Sequence, residues 1–302
     1  MESAGGEDIL RIGKITIGTL DEWPLNPGTV ISWHPTAASR EKVRHAPVSP
    51  VPVSYMQGQH LRNYCERTAA GRNFSRQIIA SCEVAGHCDI AAMDQALNAY
   101  LRRHDTFRSW FEQTADGEFV RHSVTDPADM EFAPVDHGHL TVDQIHAHVV
   151  NIPSPLEWGC FTFGVVQNED RFTFFAAMDH VHGDATLIGT TMLEANGMYS
   201  ALSGGGEPLT LPDAGSFDDF CVRERESTSA LTLDSPGVRA WIDFAENNRN
   251  GFPEFPLPLG SPQQSTSSVM ASELLMDPGQ TERFDSACAA AGARFVGGLF
   301  AC

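Results

Sequence analysis

Apolar residues recur along this chain in two periods, and their alternation predicts a mixed α/β fold. Ile90, Met93, Leu97 and Leu101 fall on one helical stripe behind Asp89, a suitable N-cap. A second stripe, Ile188, Met192, Ala195, Tyr199 and Leu202, predicts a helix ended by the glycines of SGGGEP. Thr141 and Gln144 form a capping-box pair ahead of a short helix carrying Val142, Ile145 and Val149. A further helix is expected over about 55–67. Strands are expected in SRQIIASCEV and in two hairpins, FRSWFEQ with EFVRHSV around TADG, and FTFGVVQ with RFTFFAAMD around NED. The run RFTFFAAMD is apolar on both faces, as a central strand would be.

Three regions follow from the punctuation. Residues 1–53 contain prolines in EWPLNPG and APVSPVPVS and predict an extended arm over the surface. Residues 54–205 read as one lobe, closed by the triple glycine. Residues 206–302 read as crossover helices and the incomplete start of a second lobe. In that last region a helical segment begins near Ser216, a proline-rich stretch covers 253–262, and SSVMASELLM predicts a strand. Asp277, Pro278 and Gly292 then mark the cap, first turn and stop of a helix. A new apolar segment opens at Phe295 and the chain stops within it, which predicts a truncated lobe.

Charge narrows the partners. The formal net charge of −19 argues against nucleic acid, which needs a basic surface to displace counterions. No window approaches a membrane-spanning length of about 18 apolar residues, and the acidic N-terminus lacks signal-peptide character. The seven cysteines are scattered with no CxxC pair, as in reduced thiols of a cytosolic protein. The expected location is cytoplasmic, with peripheral association at the inner face of the membrane as an added option.

The candidate chemistry lies in FFAAMDHVHGDATLIG, where two histidines and two aspartates follow a buried strand. A turn there opens toward the end of the sheet, so His180 could act as general base on a hydroxyl or amine. In the alternative reading His180 only bonds backbone and Asp184 caps the following helix. A metal reading of His180, His182 and Asp184 is disfavoured because Gly183 and the helix break their alternation. His137 and His139 fall in a polar loop, and His146 and His148 read as solvated helix residues, so no metal is expected.

MDHVHGDA resembles the HHxxxDG signature of condensation-domain and chloramphenicol-acetyltransferase-like acyltransferases. SYMQGQHL, RRHDTFRSWF and SFDDFCV resemble three further motifs of that superfamily and occur in its order. The proline-rich opening and ALNAYLRRHDTFRSWF most resemble the mycobacterial polyketide-associated acyltransferases. The resemblance implies a chloramphenicol-acetyltransferase-like two-layer sandwich, with an N-terminal lobe and the start of a second lobe facing it across a channel. It implies transfer of a long polyketide or fatty acyl group from a coenzyme A or carrier-protein thioester to a hydroxyl of a trehalose-type glycolipid. No cofactor is implied.

By position, the resemblance makes His180 the general base and Asp184 a structural residue paired to an arginine, with Arg108 the local candidate. The first motif histidine, a supporting position, is replaced by Asp179, which strand alternation places on the opposite face from His180, so only a modest effect on the base is expected. His182 occupies a variable motif position and is the alternative base. The competing expectation is a catalytically silent fragment that only binds a thioester or carrier protein.

Overall fold

A computed structural model of the chain describes residues 10–12, 15–72, 76–248, 251 and 274–302. The chain divides into two units, Leu25–Pro253 and a smaller one of Met1–Pro24 with Glu254–Cys302. In the smaller unit, β1 (Leu10–Ile12) pairs antiparallel with β2 (Ile15–Ile17).

The larger unit is built on an antiparallel sheet. Its strands are β3 (Gly28–Pro35), β4 (Gln77–Ala85), β7 (Phe132–Leu140), β8 (Phe161–Gln167) and β9 (Arg171–Asp179). They lie in the order β4-β9-β8-β3-β7. A separate hairpin joins β5 (Ser109–Gln113) to β6 (Phe119–Ser123), as the TADG turn predicts. The helices are α1 (Ala37–Arg44), α2 (Tyr55–Ala69), α3 (Ile90–Arg103), α4 (Val142–Val150), α5 (Ala185–Ser203), α6 (Phe217–Ser229) and α7 (Pro236–Asn247). The smaller unit adds α8 (Pro278–Ala290) and α9 (Phe295–Ala301).

Residues 28–44 correct the expected extended arm. GTVISWHP forms β3, between β8 and β7, and α1 follows it. Its proline stands at the strand end and others precede the strand, where no ladder hydrogen bond is lost. Apolar Val30 and Trp33 are buried in it. Residues 23–27, with Pro24 and Pro27, and 45–54, where Pro47, Pro50 and Pro52 cluster, run without a helix or ladder strand.

Two faces of the sheet carry different layers. On one, α3 and α5 pack over Trp33, Phe163, Phe174, Ala176 and Met178. The α3 stripe delivers Met93, Leu97 and Leu101 there, all fully buried; each contributes ~1.5–3 kcal/mol by leaving water. Phe175 and Ala177 alternate to the other face and are equally buried, which is why β9 reads as apolar throughout. Gly164 on β8 gives the Phe175 ring its space: a Cβ there would stand 2.5 Å from Phe175 Cζ and 2.8 Å from the Ile31 carbonyl oxygen.

Asp277 caps α8 with a capping box and Pro278 in its first turn. The stretch beginning at Phe295 is helical as α9. Most of the strand expected in SSVMASELLM and all of the proline-rich 253–262 lie outside the described residues, while Leu274–Met276 have no regular structure.

Candidate active site

β9 ends at Asp179 and α5 begins at Ala185, so residues 180–184 form the turn expected between strand and helix. Asp179 and His180 face apart. Asp179 is buried, and its Oδ1 lies 2.7 Å from His60 Nε2 and accepts from the Val181 N–H at 2.9 Å. His180 is exposed, with its backbone N–H donating to the Arg76 carbonyl at 2.8 Å. The His60 ring stands 6.5 Å from the His180 ring. His60 is thus a neighbour of the turn that the motif reading omits. The available signal was its place three residues after Gln57, on the same helical face.

Three motifs distant in sequence gather around this turn, linked in part through Arg121. Gln57, inside the capping box of α2, donates Nε2–H to the Val181 carbonyl at 3.0 Å. Its Oε1 accepts from Arg121 at 2.9 Å. Arg121, fully buried on β6, also donates to Asp218 Oδ1 at 2.7 Å and lies over the Phe111 and Phe217 rings. Asp105, in the RRHDTFR segment, accepts from Ser216 Oγ at 2.7 Å and from the Phe217 and Asp218 N–H groups. A carboxylate at those donors stabilises the start of α6. Thr106 Oγ1 donates to the His182 carbonyl at 3.0 Å.

The electrostatics sort the ionisable groups of the turn. His182 is completely buried against Phe107 and Phe161, and burial pushes its pKa down to about 4 despite the opposing pull of Asp179. It packs as a neutral ring. Asp184 caps α5, accepting from the Thr186 and Leu187 N–H groups at 2.9 and 3.0 Å. Cys160 is buried beside Asp179; burial raises its thiol well above the ordinary range, the reverse of an activated nucleophile. Burial also raises the Asp218 carboxyl, against the opposing pull of Arg121.

Three expectations change. Among the described residues no ion pair joins Arg108 to Asp184; Arg108 ends the 3-10 turn Asp105–Arg108 and its charge acts on Asp218 instead. His148 is not solvated: its Nε2 meets the hydroxyl of Ser32, which also meets His34 and His137. The third concerns the polar loop expected at His137 and His139: both lie on strand β7, and β3, β7 and α4 together hold the three rings across residues far apart in sequence, which helical spacing could not reveal.

The condensation-domain family pattern matches residues 51–290. The chain is 52% identical to "Acyltransferase PapA3" of Mycobacterium tuberculosis, over 97% of this chain and 62% of that protein. It is also 52% identical to "2'-acyl-2-O-sulfo-trehalose (hydroxy)phthioceranyltransferase PapA1" of Mycobacterium bovis, over 97% of this chain and 57% of that protein. The chain therefore spans about three fifths of the length of these curated relatives. The solved structure of "PapA2 acyl transferase" superposes with a TM-score of 0.88 at 47% identity, covering 94% of this chain and 62% of that one. Among the described residues, no helix is long and apolar enough to cross a membrane. With the sheet-and-helix architecture of that structure and a family pattern spanning most of its length, the chain belongs to the condensation-domain family.

Proposed function

We propose that this chain serves acyl transfer: a long acyl group passes from a coenzyme A or carrier-protein thioester to a hydroxyl of a trehalose-type glycolipid. His180 acts as the general base. The observation that carries this reading is the division of labour in the turn. Asp179 is engaged with His60, His182 is buried and Asp184 caps a helix, which leaves His180 as the exposed imidazole. The similarity to acyltransferases, one of them named for a sulfated trehalose acceptor, supports the substrate class.

In the reaction, His180 takes the proton of the acceptor hydroxyl as its oxygen attacks the thioester carbonyl. The tetrahedral intermediate collapses with loss of the thiolate, which receives the proton back from the imidazolium. The products are an ester and a free thiol, and no acyl-enzyme forms. Asp179 and His60 hold the end of β9 so that His180 faces outward.

The test is to supply the 302-residue chain with a long-chain acyl-CoA and trehalose and to quantify acylated sugar and released thiol. Product formation that disappears in His180→Ala supports the reading. Product formation that survives in His180→Ala assigns the base elsewhere. A second reading, in which the chain binds the thioester without turning it over, draws on the open exposure of His180, since catalytic electrostatics strengthen only where water is excluded. Saturable acyl-CoA binding with no product from the chain would favour it.

A further inference from the structure

We propose that His34, His137 and His148 form a binding site for one divalent transition-metal ion of the zinc class. They come from three elements: His34 from β3, His137 from β7 and His148 from α4. One ring nitrogen from each lies within 4.8 Å of the others. At their centre is Ser32 Oγ, on a fully buried residue, 2.8 Å from Nε2 of His34 and of His137 and 3.1 Å from Nε2 of His148.

The backbone is shaped for this convergence. The β3–β7 register steps from Thr29↔His139 to Ile31↔Asp136, so β7 carries an extra residue at a bulge. Gly138 takes the left-handed conformation there, φ 72°, and its N–H donates to Asp136 Oδ1 at 2.7 Å. A bulge of this kind re-aims a neighbouring side chain, and here the His137 ring meets Ser32 and lies 4.3 Å from the His148 ring.

The donor set decides the class of ion. Three imidazoles without a carboxylate suit zinc, cobalt, nickel or copper and do not suit calcium or magnesium, which require oxygen ligands. Three histidines leave a fourth position for water or for Ser32 Oγ, the composition of an open zinc site. Bringing the nitrogens to the usual distance of ~2.0–2.1 Å from a zinc ion requires the rings to close and the Ser32 hydroxyl, which lies between them, to swing aside into the fourth position. Without an ion the Ser32 hydroxyl can donate to one ring and accept N–H from the other two, so an ion would replace a hydrogen-bonded hub.

Strand β8 separates β3 from β9, which places this cluster in a different part of the sheet from the His180 turn. A bound ion would pin the edge strand β7 and the helix α4 to β3. The proposal does not depend on acyl transfer.

The experiment uses the intact 302-residue chain after chelator treatment. Zinc is titrated calorimetrically, and cobalt is titrated while its visible d–d absorption is recorded. The proposal predicts one equivalent of either ion, a cobalt spectrum of four-coordinate nitrogen-rich type, and a rise in melting temperature that a chelator reverses. Magnesium and calcium should produce none of these. His137→Ala and His148→Ala should each abolish the one-equivalent step, whereas His139→Ala, on the same strand, should keep it. Absence of saturable binding by the unsubstituted chain would overturn the proposal, and so would a six-coordinate oxygen-type cobalt spectrum. Binding unchanged in both variants would also overturn it. The spectrum of the unsubstituted chain decides the matter even if a variant folds poorly.

Discussion

Gln57 reaches from α2 to the Val181 carbonyl at 3.0 Å, and its amide, together with the His60–Asp179 contact, ties the helix to the turn that carries His180. The same side chain accepts from buried Arg121, so it satisfies groups on both sides. Gln57→Leu leaves the carbonyl and the guanidinium short of a partner. Each unsatisfied buried group costs ~1–3 kcal/mol, and thermal denaturation of Gln57→Leu should show a loss of that order. An unchanged melting temperature would mean that water replaces the amide.

Arg121 and Asp218 form an asymmetric pair, with the arginine side chain fully buried and the aspartate a quarter exposed. Removing the buried partner also strips hydrogen bonds from Gln57 and from the Pro52 carbonyl. Arg121→Met should therefore cost about 3 kcal/mol, within the range for breaking a buried pair. Asp218→Asn keeps a polar partner for the guanidinium but removes its countercharge, and should cost about 2 kcal/mol, within the range for a hydrogen bond to a charged group. Urea denaturation of both variants tests the order; equal losses would contradict it.

Asp184 bonds two N–H groups at the start of α5. Asp184→Ala should cost about 1 kcal/mol, the usual loss of a helix cap. Asp184→Asn should recover most of it, because asparagine caps as well as aspartate. Transfer activity measured in the two variants separates the cap from the charge. If the asparagine variant is stable but inactive, the charge itself is needed and the capping account is insufficient.

His182 supplies a pH dependence whose sign follows from its burial. Its pKa falls from the ordinary imidazole value of 6.5 to about 4 in the fold. Between these values the unfolded chain binds a proton that the folded chain refuses, so stability declines as pH drops from about 6.5 toward about 4. The full loss is about 3 kcal/mol at roughly 1.36 kcal/mol for each pH unit of that window. Melting temperatures recorded across this window, with a chelator present, should fall with acidification, and His182→Asn should flatten the slope. A slope unaltered by that substitution would assign the acid sensitivity to other groups.

Several helices and strands of the larger unit were legible because their periods are strong: the α3 stripe, the Thr141–Gln144 capping box and the doubly apolar β9 all appear where spacing predicts, whereas β7, polar and largely exposed, read as a loop. Strand β3 was hidden by the prolines around it, since composition registers their presence and not their placement at strand ends. The Asp184 cap could be read from adjacent residues. The His60–Asp179 contact spans 119 positions and the Ser32–His137 contact 105, and no local period encodes either. The motif order brought the right segments forward, while the folded sheet supplied their contacts.

The central claim is that His180, and no other group of the turn, moves the proton during acyl transfer. The most direct measurement replaces the matching three fifths of PapA3 with residues 1–302 and follows sugar acylation by that chimera and its His180→Ala variant. Because His180 is exposed, the substitution should leave the melting temperature unchanged while turnover falls by ~10²–10⁴-fold, the contribution of a positioned general base. Turnover retained in His180→Ala but lost in a well-folded His182→Asn would contradict the account and move the proton transfer to the buried ring.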